Sequence, residues 1–363
     1  MIATRALIVA GVLVLALTAG YQGAVVGVPL PWILGPMLIS ALAALTGHAL
    51  PEPKAVRQWA QVVLGAAIGQ SFTIAILVSL TWLIPWMVLF SLWSLVMSAL
   101  GSLLLARWAR LDRHTALLAN LPGGVAEMAF LGGKAEGAST AIALVQALRL
   151  SSLVLILPLA MALFLDETSS PQAVPLAGGA LGLGTLVVLG FGFLLGWSID
   201  RLGVRNAFIV GALAVSVATT VSTGLDVGIP DPLFIAGQVA IGLALGSRFE
   251  RRDVARMPRL VAAGLAASLF TSVLTIVSAI LVALPLGVAV PVMVLAGAPG
   301  GVAEMVITAA ALGFGIAHVV AFQTVRIFVV NLFAAPVAAL WLRLADALWP
   351  EAVVEGEAGD SKR

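Results

Sequence analysis

Glu127 and Glu304 each stand three residues after a Pro-Gly-Gly, in Leu121-Pro122-Gly123-Gly124-Val125-Ala126-Glu127-Met128 and Ala298-Pro299-Gly300-Gly301-Val302-Ala303-Glu304-Met305. The two octets lie at an offset of 177 residues, from 127 to 304, and Gln146 and Arg149 return at the same offset as Gln323 and Arg326. These residue types have definite chemistry. A guanidinium offers a fixed fork of donors that suits carboxylate, phosphate or phosphonate and holds its proton. A buried glutamate changes its proton affinity with burial and with a nearby arginine, so it can carry a coupling proton. Proline removes a backbone donor and glycine permits unusual dihedrals, so a helix breaks there and presents backbone amides to an anion. Pro122, Gly123, Gly124, Glu127, Gln146 and Arg149, with Pro299, Gly300, Gly301, Glu304, Gln323 and Arg326, form the candidate substrate-binding set. The plainer reading pairs Glu127 with Arg149 and Glu304 with Arg326 as structural ion pairs, which substrate can still break.

The sequence that carries these groups is nearly free of other charge. Hydrophobic residues make up 61% of the 363 and charged residues 10%. Mean hydropathy is +1.13. Soluble chains carry about 25% charged residues, so this is the composition of a polytopic membrane protein. Residues 6–51 and 58–106 contain no Asp, Glu, Lys or Arg, and each run is long enough for two spans of about 20 residues. Backbone groups in lipid need internal partners, which makes helices the expected spans. A charge at the bilayer centre costs about 2.5 kcal/mol or more, so the embedded carboxylates and arginines need a reason to be there.

The repeat is domain-sized. Gln61, Gly65, Gly69 and Phe72 align with Gln238, Gly242, Gly246 and Phe249, while Gly20, Gly27, Ile33 and Gly35 align at an offset of 176 with Gly196, Gly203, Ile209 and Gly211. The first apolar run, after Arg5, resembles a signal peptide. Its alignment with the segment ending at Gly196 makes it a retained helix instead. Expected spans are 6–22, 30–47, 57–71, 82–106 and 139–165, then 176–197, 207–224, 232–247, 260–284 and 316–342.

Charge sets the topology. Of the 19 basic residues, all but Arg149 and Arg326 fall in connections, and a cytoplasmic N-terminus places every one of those on one side. The opposite side carries Asp166, Glu167, Asp226 and Asp231. This positive-inside pattern requires residues 115–165 to cross the membrane an odd number of times. One spanning helix preceded by a re-entrant hairpin, with Pro122-Gly123-Gly124 at its tip, meets the requirement; a broken helix meets it equally. Each half then has five spans, so the second half is inserted upside down and residues 291–315 form a hairpin entering from the other face. Inverted-repeat transporters place substrate and ion sites between such elements. The expected fold is all-α, with two inverted repeats of about five transmembrane helices plus one re-entrant or broken-helix hairpin each. The expected domains are 1–170, 171–345 and a disordered cytoplasmic tail at 346–363.

Other polar residues carry less. Gln61 and Gln238 sit in short spans with glycine at i+4 and i+8, a spacing that signals close helix packing. His318 aligns with Ala141 and Asn120 with Gly297, so neither belongs to a repeated site. His48, His114 and His318 are scattered and cysteine is absent, which argues against the metal chemistry of a membrane monooxygenase. No Walker-type Gly-x-x-x-x-Gly-Lys appears, which disfavours ATP-driven transport.

The paired motifs Leu-Pro-Gly-Gly-Val-Ala-Glu-Met and Ala-Pro-Gly-Gly-Val-Ala-Glu-Met, followed by Val145-Gln146-Ala147-Leu148-Arg149 and Phe322-Gln323-Thr324-Val325-Arg326, resemble the bacterial AbrB membrane protein family over residues 5–345. That family is unrelated to the DNA-binding transition-state regulator of the same name. The resemblance implies an inner-membrane protein whose members have been labelled transporters, regulators of gene expression and ammonia monooxygenases. Some members have one copy of the unit, which suits assembly as an antiparallel pair, so a homodimer is compatible with it.

The expectation is a proton- or sodium-coupled secondary transporter of a small polar solute, an organic anion being favoured. It is not an enzyme, has no cofactor and has no nucleic-acid partner; its partners are the solute, the coupling ion and the lipid bilayer. A regulatory membrane sensor is the alternative.

Overall fold

The computed structural model describes residues 2–122, 128, 138–164, 176–204, 206–223, 228–249 and 251–348. Among these residues every regular element is a helix. In chain order they are α1 (Ile2–Val26), α2 (Pro31–Leu45), α3 (Lys54–Gly69), α4 (Ile74–Thr81), α5 (Ile84–Ala109), α6 (Arg113–Asn120), α7 (Ala138–Phe164) and α8 (Leu183–Asp200). There follow α9 (Ala207–Thr223), α10 (Asp231–Gly246), α11 (Arg251–Arg256), α12 (Pro258–Leu286), α13 (Val290–Gly297), α14 (Val302–Ala311) and α15 (Ile316–Leu348). Helix boundaries follow local chemistry. Asp112 accepts from the Thr115 amide to start α6, Pro258 opens α12, and Gly287 closes it in the left-handed region at φ 63°.

Seven helical stretches among the described residues are long and apolar enough to cross a membrane, or eight if α3 and α4, bent by 94°, count as one span. The chain is therefore a helical protein of multi-pass character. Each of the ten expected spans coincides with a helix, but four have fewer residues than a full crossing needs. α2 has 15 residues, α3 and α10 have 16 each and α9 has 17, or about 22 to 26 Å at 1.5 Å per residue against a hydrocarbon core of about 30 Å. All four pack against one another and their neighbours, where length need not match the lipid. α4 was not anticipated from the sequence. It is an eight-residue apolar helix started by Thr73, whose hydroxyl accepts from the Ile76 amide.

The helices sort into two bundles. α1, α2, α3, α8, α9 and α10 pack on one another, and α5, α6, α7, α12, α13, α14 and α15 form the second group. One apolar cluster joins the bundles, bringing Ile68, Phe72, Leu176 and Ile229 together with Leu286, Met293 and Phe314. A second cluster, around Leu105, Leu117, Met128, Leu148 and Leu260, lies mainly within the second bundle.

Contacts recur across the sequence repeat with partners exchanged. A side chain at Gly65 would strike the Ile209 carbonyl of α9, and one at Gly242 the Ile33 carbonyl of α2. Gly69 approaches Ser216 in the same way that Gly246 approaches Ser40. α5 packs on α15 as α12 packs on α7. Unusual backbone angles also recur at aligned positions: Gly27 and Gly203 at φ 80° and 75°, Leu30 and Asn206 at 52° and 51°, Arg110 and Gly287 at 55° and 63°.

Candidate functional site

α13 and α14 are too short to span. With eight and ten residues they reach about 12 and 15 Å. They meet at Ala298-Pro299-Gly300-Gly301, where the proline and the extended Gly301 (φ −77°, ψ 151°) end one helix before the other begins. Gly315, after α14, lies against Val292 near the start of α13, so the chain returns to the level at which it entered. The segment breaks at Pro299-Gly300-Gly301 and folds back on itself; the sequence left a hairpin and a broken helix equally open.

A helix that stops inside a protein leaves its last carbonyls without partners. Gln323 and Arg326, one turn apart on α15, supply donors. Gln323 Nε2 donates to the carbonyls of Leu295, Ala296 and Ala298 at 2.9, 3.2 and 3.2 Å. Arg326 donates through Nη1 to Ala298 O at 2.5 Å and through Nη2 to Gly300 O at 2.7 Å. Its Nη2 also donates to Gln323 Oε1. The first half repeats the device. On α7, Gln146 Nε2 donates to Leu118 O at 3.1 Å, and Arg149 Nη1 donates to Asn120 O at 2.7 Å and Leu121 O at 3.1 Å. A cation at a helix C-terminus also faces the negative end of the helix dipole.

Glu304 serves the opposite end. It is in the first turn of α14, 8% exposed, and a Cβ on Gly301 would collide with its carboxylate. The carboxylate folds back on the helix start and accepts from the Glu304 backbone amide, where the dipole favours negative charge. Each charge at the break therefore stabilises its own half-helix end. Gly123, Gly124 and Glu127 lie outside the described residues.

The two halves converge on one cavity of about 1150 Å³. Its inner wall includes Pro122 and Arg149 from the first half and Pro299, Gly300, Gly301, Glu304 and Arg326 from the second. The wall opposite comes from the other bundle, through α3, α9 and α10. The mouth is marked by exposed charge: Lys54 and Asp200 pair at 3.7 Å with side chains 70% and 41% exposed, and Arg57 pairs with Glu52 at 3.4 Å. Gln146 and Gln323, expected in the substrate-binding set, stand behind the cavity wall. Both are fully buried and absent from the cavity wall, because their amides are committed to the hairpin carbonyls.

Three polar cavity residues were not among the expected site residues. Arg248 lines the cavity between mouth and floor, and its charge acts on Glu304 and on Glu52. Its aligned position is Ser71, so symmetry could not find it. Gln61, expected to serve packing, lines the cavity and donates to Asn206 Oδ1 at 3.2 Å; Asn206 aligns with the apolar Leu30. Among the described residues no three His, Cys, Asp or Glu side chains converge to hold a metal ion.

The sequence model of the family described as "AbrB: Transition state regulatory protein AbrB" matches residues 4–342. The chain belongs to the AbrB family. Among curated AbrB relatives, "Uncharacterized protein YhjN" of Bacillus subtilis (strain 168) is 26% identical over 337 residues, covering 86% of this chain and 87% of that protein. "Putative regulator AbrB" of Escherichia coli (strain K12) is 33% identical over 117 residues, about a third of either chain at 32% and 33%. No solved structure matches this AbrB family chain.

Proposed function

We propose that this AbrB family protein is a secondary transporter that moves a small polar solute, an organic anion being favoured, by alternating access. The observation that carries the reading is the cavity in which residues of both Pro-Gly-Gly breaks meet Arg149, Arg326 and Glu304. A carrier needs one site reached from two sides. Here the site lies between two bundles, and the apolar cluster that joins them is distinct from the charged mouth. Relative movement of the bundles would open one side as it closes the other.

The exchanged contacts support two halves related by a two-fold, since a pair in which A meets B′ and A′ meets B is what such an axis generates. With the arginine-rich connections in the cytoplasm, that axis lies in the membrane plane and the halves are inverted. The cavity mouth then faces the cytoplasm, because Lys54, Arg57, Arg248 and Asp253 all belong to those connections. The domain division 1–170 and 171–345, the inner-membrane location and cytoplasmic termini follow from the same reading. Arg149 and Arg326 bring to the cavity wall two guanidinium forks, which suit an anionic solute. Glu304 is the described candidate for the coupling proton.

The test is uptake of a solute panel into proteoliposomes by the intact protein and by Arg149→Gln and Glu304→Gln. Loss of at least tenfold in both variants supports the site. Unchanged uptake in both sinks it. The word "regulator" in the description of the Escherichia coli relative favours a second reading as a membrane sensor, in which the cavity binds solute without net movement; binding without uptake would select it.

A further inference from the structure

The structure assigns an anionic phospholipid headgroup to the arginine cluster where α5, α11 and α12 meet. Aligned elements make the argument. α11 begins at Arg251, 177 residues after Ile74 at the start of α4, and both helices link a short helix to a long one. α4 reads Ile-Ala-Ile-Leu-Val-Ser-Leu-Thr, whereas α11 reads Arg-Arg-Asp-Val-Ala-Arg. The same structural position thus carries no charge in one copy and three arginines in six residues in the other. The fold does not ask for those arginines, because none of the α11 residues is buried.

Packing gathers further cations there. Val254 and Met257 join the apolar cluster that includes Ala106, Ala109 and Leu111 at the end of α5. Arg259 Nε donates to the Trp108 carbonyl at 2.5 Å. Arg107, Arg110, Arg251, Arg252, Arg256 and Arg259 are exposed on this end of the molecule, against Asp112 and Asp253. Six cations less two anions leave a net charge of +4, and Asp112 is already engaged as the α6 cap. Trp108, 53% exposed, is the residue type that sits at the headgroup level. Further along the same helices, Leu100 and Leu269 are exposed, an apolar surface for the acyl chains. Basic clusters flanking transmembrane helices gain about fivefold in affinity for anionic lipid per arginine. A phosphodiester with its two chains in the bilayer meets the basic cap and this apolar surface together; a soluble phosphate meets only the first.

Thermal unfolding of the detergent-solubilised full chain, titrated with phosphatidylglycerol, phosphatidylcholine of the same chains or glycerol 3-phosphate, distinguishes the sources. Phosphatidylglycerol alone is expected to raise Tm. An Arg251→Gln/Arg252→Gln/Arg256→Gln variant should need about a hundredfold more of it for the same shift, at roughly fivefold per arginine. The corresponding triple lysine variant, which keeps the charge, should stay within a few-fold of the native protein. An equal response to glycerol 3-phosphate would overturn the proposal in favour of a soluble anion site. An undiminished phosphatidylglycerol response in the glutamine variant would place the lipid elsewhere.

Discussion

Arg326 illustrates why a charge persists inside this molecule. Its guanidinium reaches two carbonyls, Ala298 O and Gly300 O, on either side of Pro299, and a planar fork can do this where a single ammonium cannot. Arg326→Lys keeps the charge and leaves at least one buried carbonyl without a donor, at a cost of about 1–3 kcal/mol. Uptake is expected to fall by about tenfold or more, with circular dichroism unchanged; near-native uptake would show that charge alone suffices. The sequence made Gln146, Arg149, Gln323 and Arg326 visible by their repetition. Their immediate partners were not visible, since backbone carbonyls leave no mark in a sequence. The structure shows Arg149 and Arg326 at the C-terminal ends of the first half-helices and Glu304 at the start of α14, while Glu127 lies outside the described residues. Arg248 stayed hidden for a different reason: its value comes from position alone, and Ser71 holds the aligned place.

At the scale of elements, the half-helices depend on their caps. α6 has eight residues and starts at Asp112, whose carboxylate accepts from the Thr115 amide at 2.8 Å. Partial burial pushes the Asp112 carboxyl up, but the Thr115 hydroxyl and amide and the nearby His114 outweigh it and hold the group below the usual carboxylate range. A depressed acid contributes stability above its unfolded pKa, about 3.9, and loses that contribution as pH falls through its folded value. Asp112→Ala is expected to destabilise the protein by about 1 kcal/mol at neutral pH, and the gap from the native Tm should close below about pH 4. A gap that persists in acid would mean that the carboxylate is not the cap. The sequence indicated the break at Pro122-Gly123-Gly124 and the ten main helices because composition and charge runs mark lipid-buried helices directly. It did not reveal α4, whose apolar residues run on from those of α5 with only the short turn at Trp82 and Leu83 between them, nor the short length of α2 and α9, which their packing permits.

At the scale of the whole molecule, the two bundles share the cavity between them. The α5–α12 contact shows how polar the join is: Ser91, Ser94, Ser98, Thr271, Ser272 and Thr275 are all buried on these helices. Most of their hydroxyls bond to carbonyls of their own helix; Asn120 Nδ2 bridges Ser98 O and Thr271 Oγ1. The repeat was legible in the sequence through Gly65, Gly242 and the two octets, but which half packs on which was not, because exchanged and unexchanged partners bury the same residues. The central claim is that the cavity opens alternately to the two sides of the membrane. The chain has no cysteine, so Ala143→Cys, in the cavity wall on α7, gives a single reporter. In sealed vesicles of known orientation, an impermeant thiol reagent should label it from the face bearing Lys54 and, under an imposed solute or ion gradient, from the opposite face as well. Labelling from one face only, whatever the gradient, would contradict alternating access.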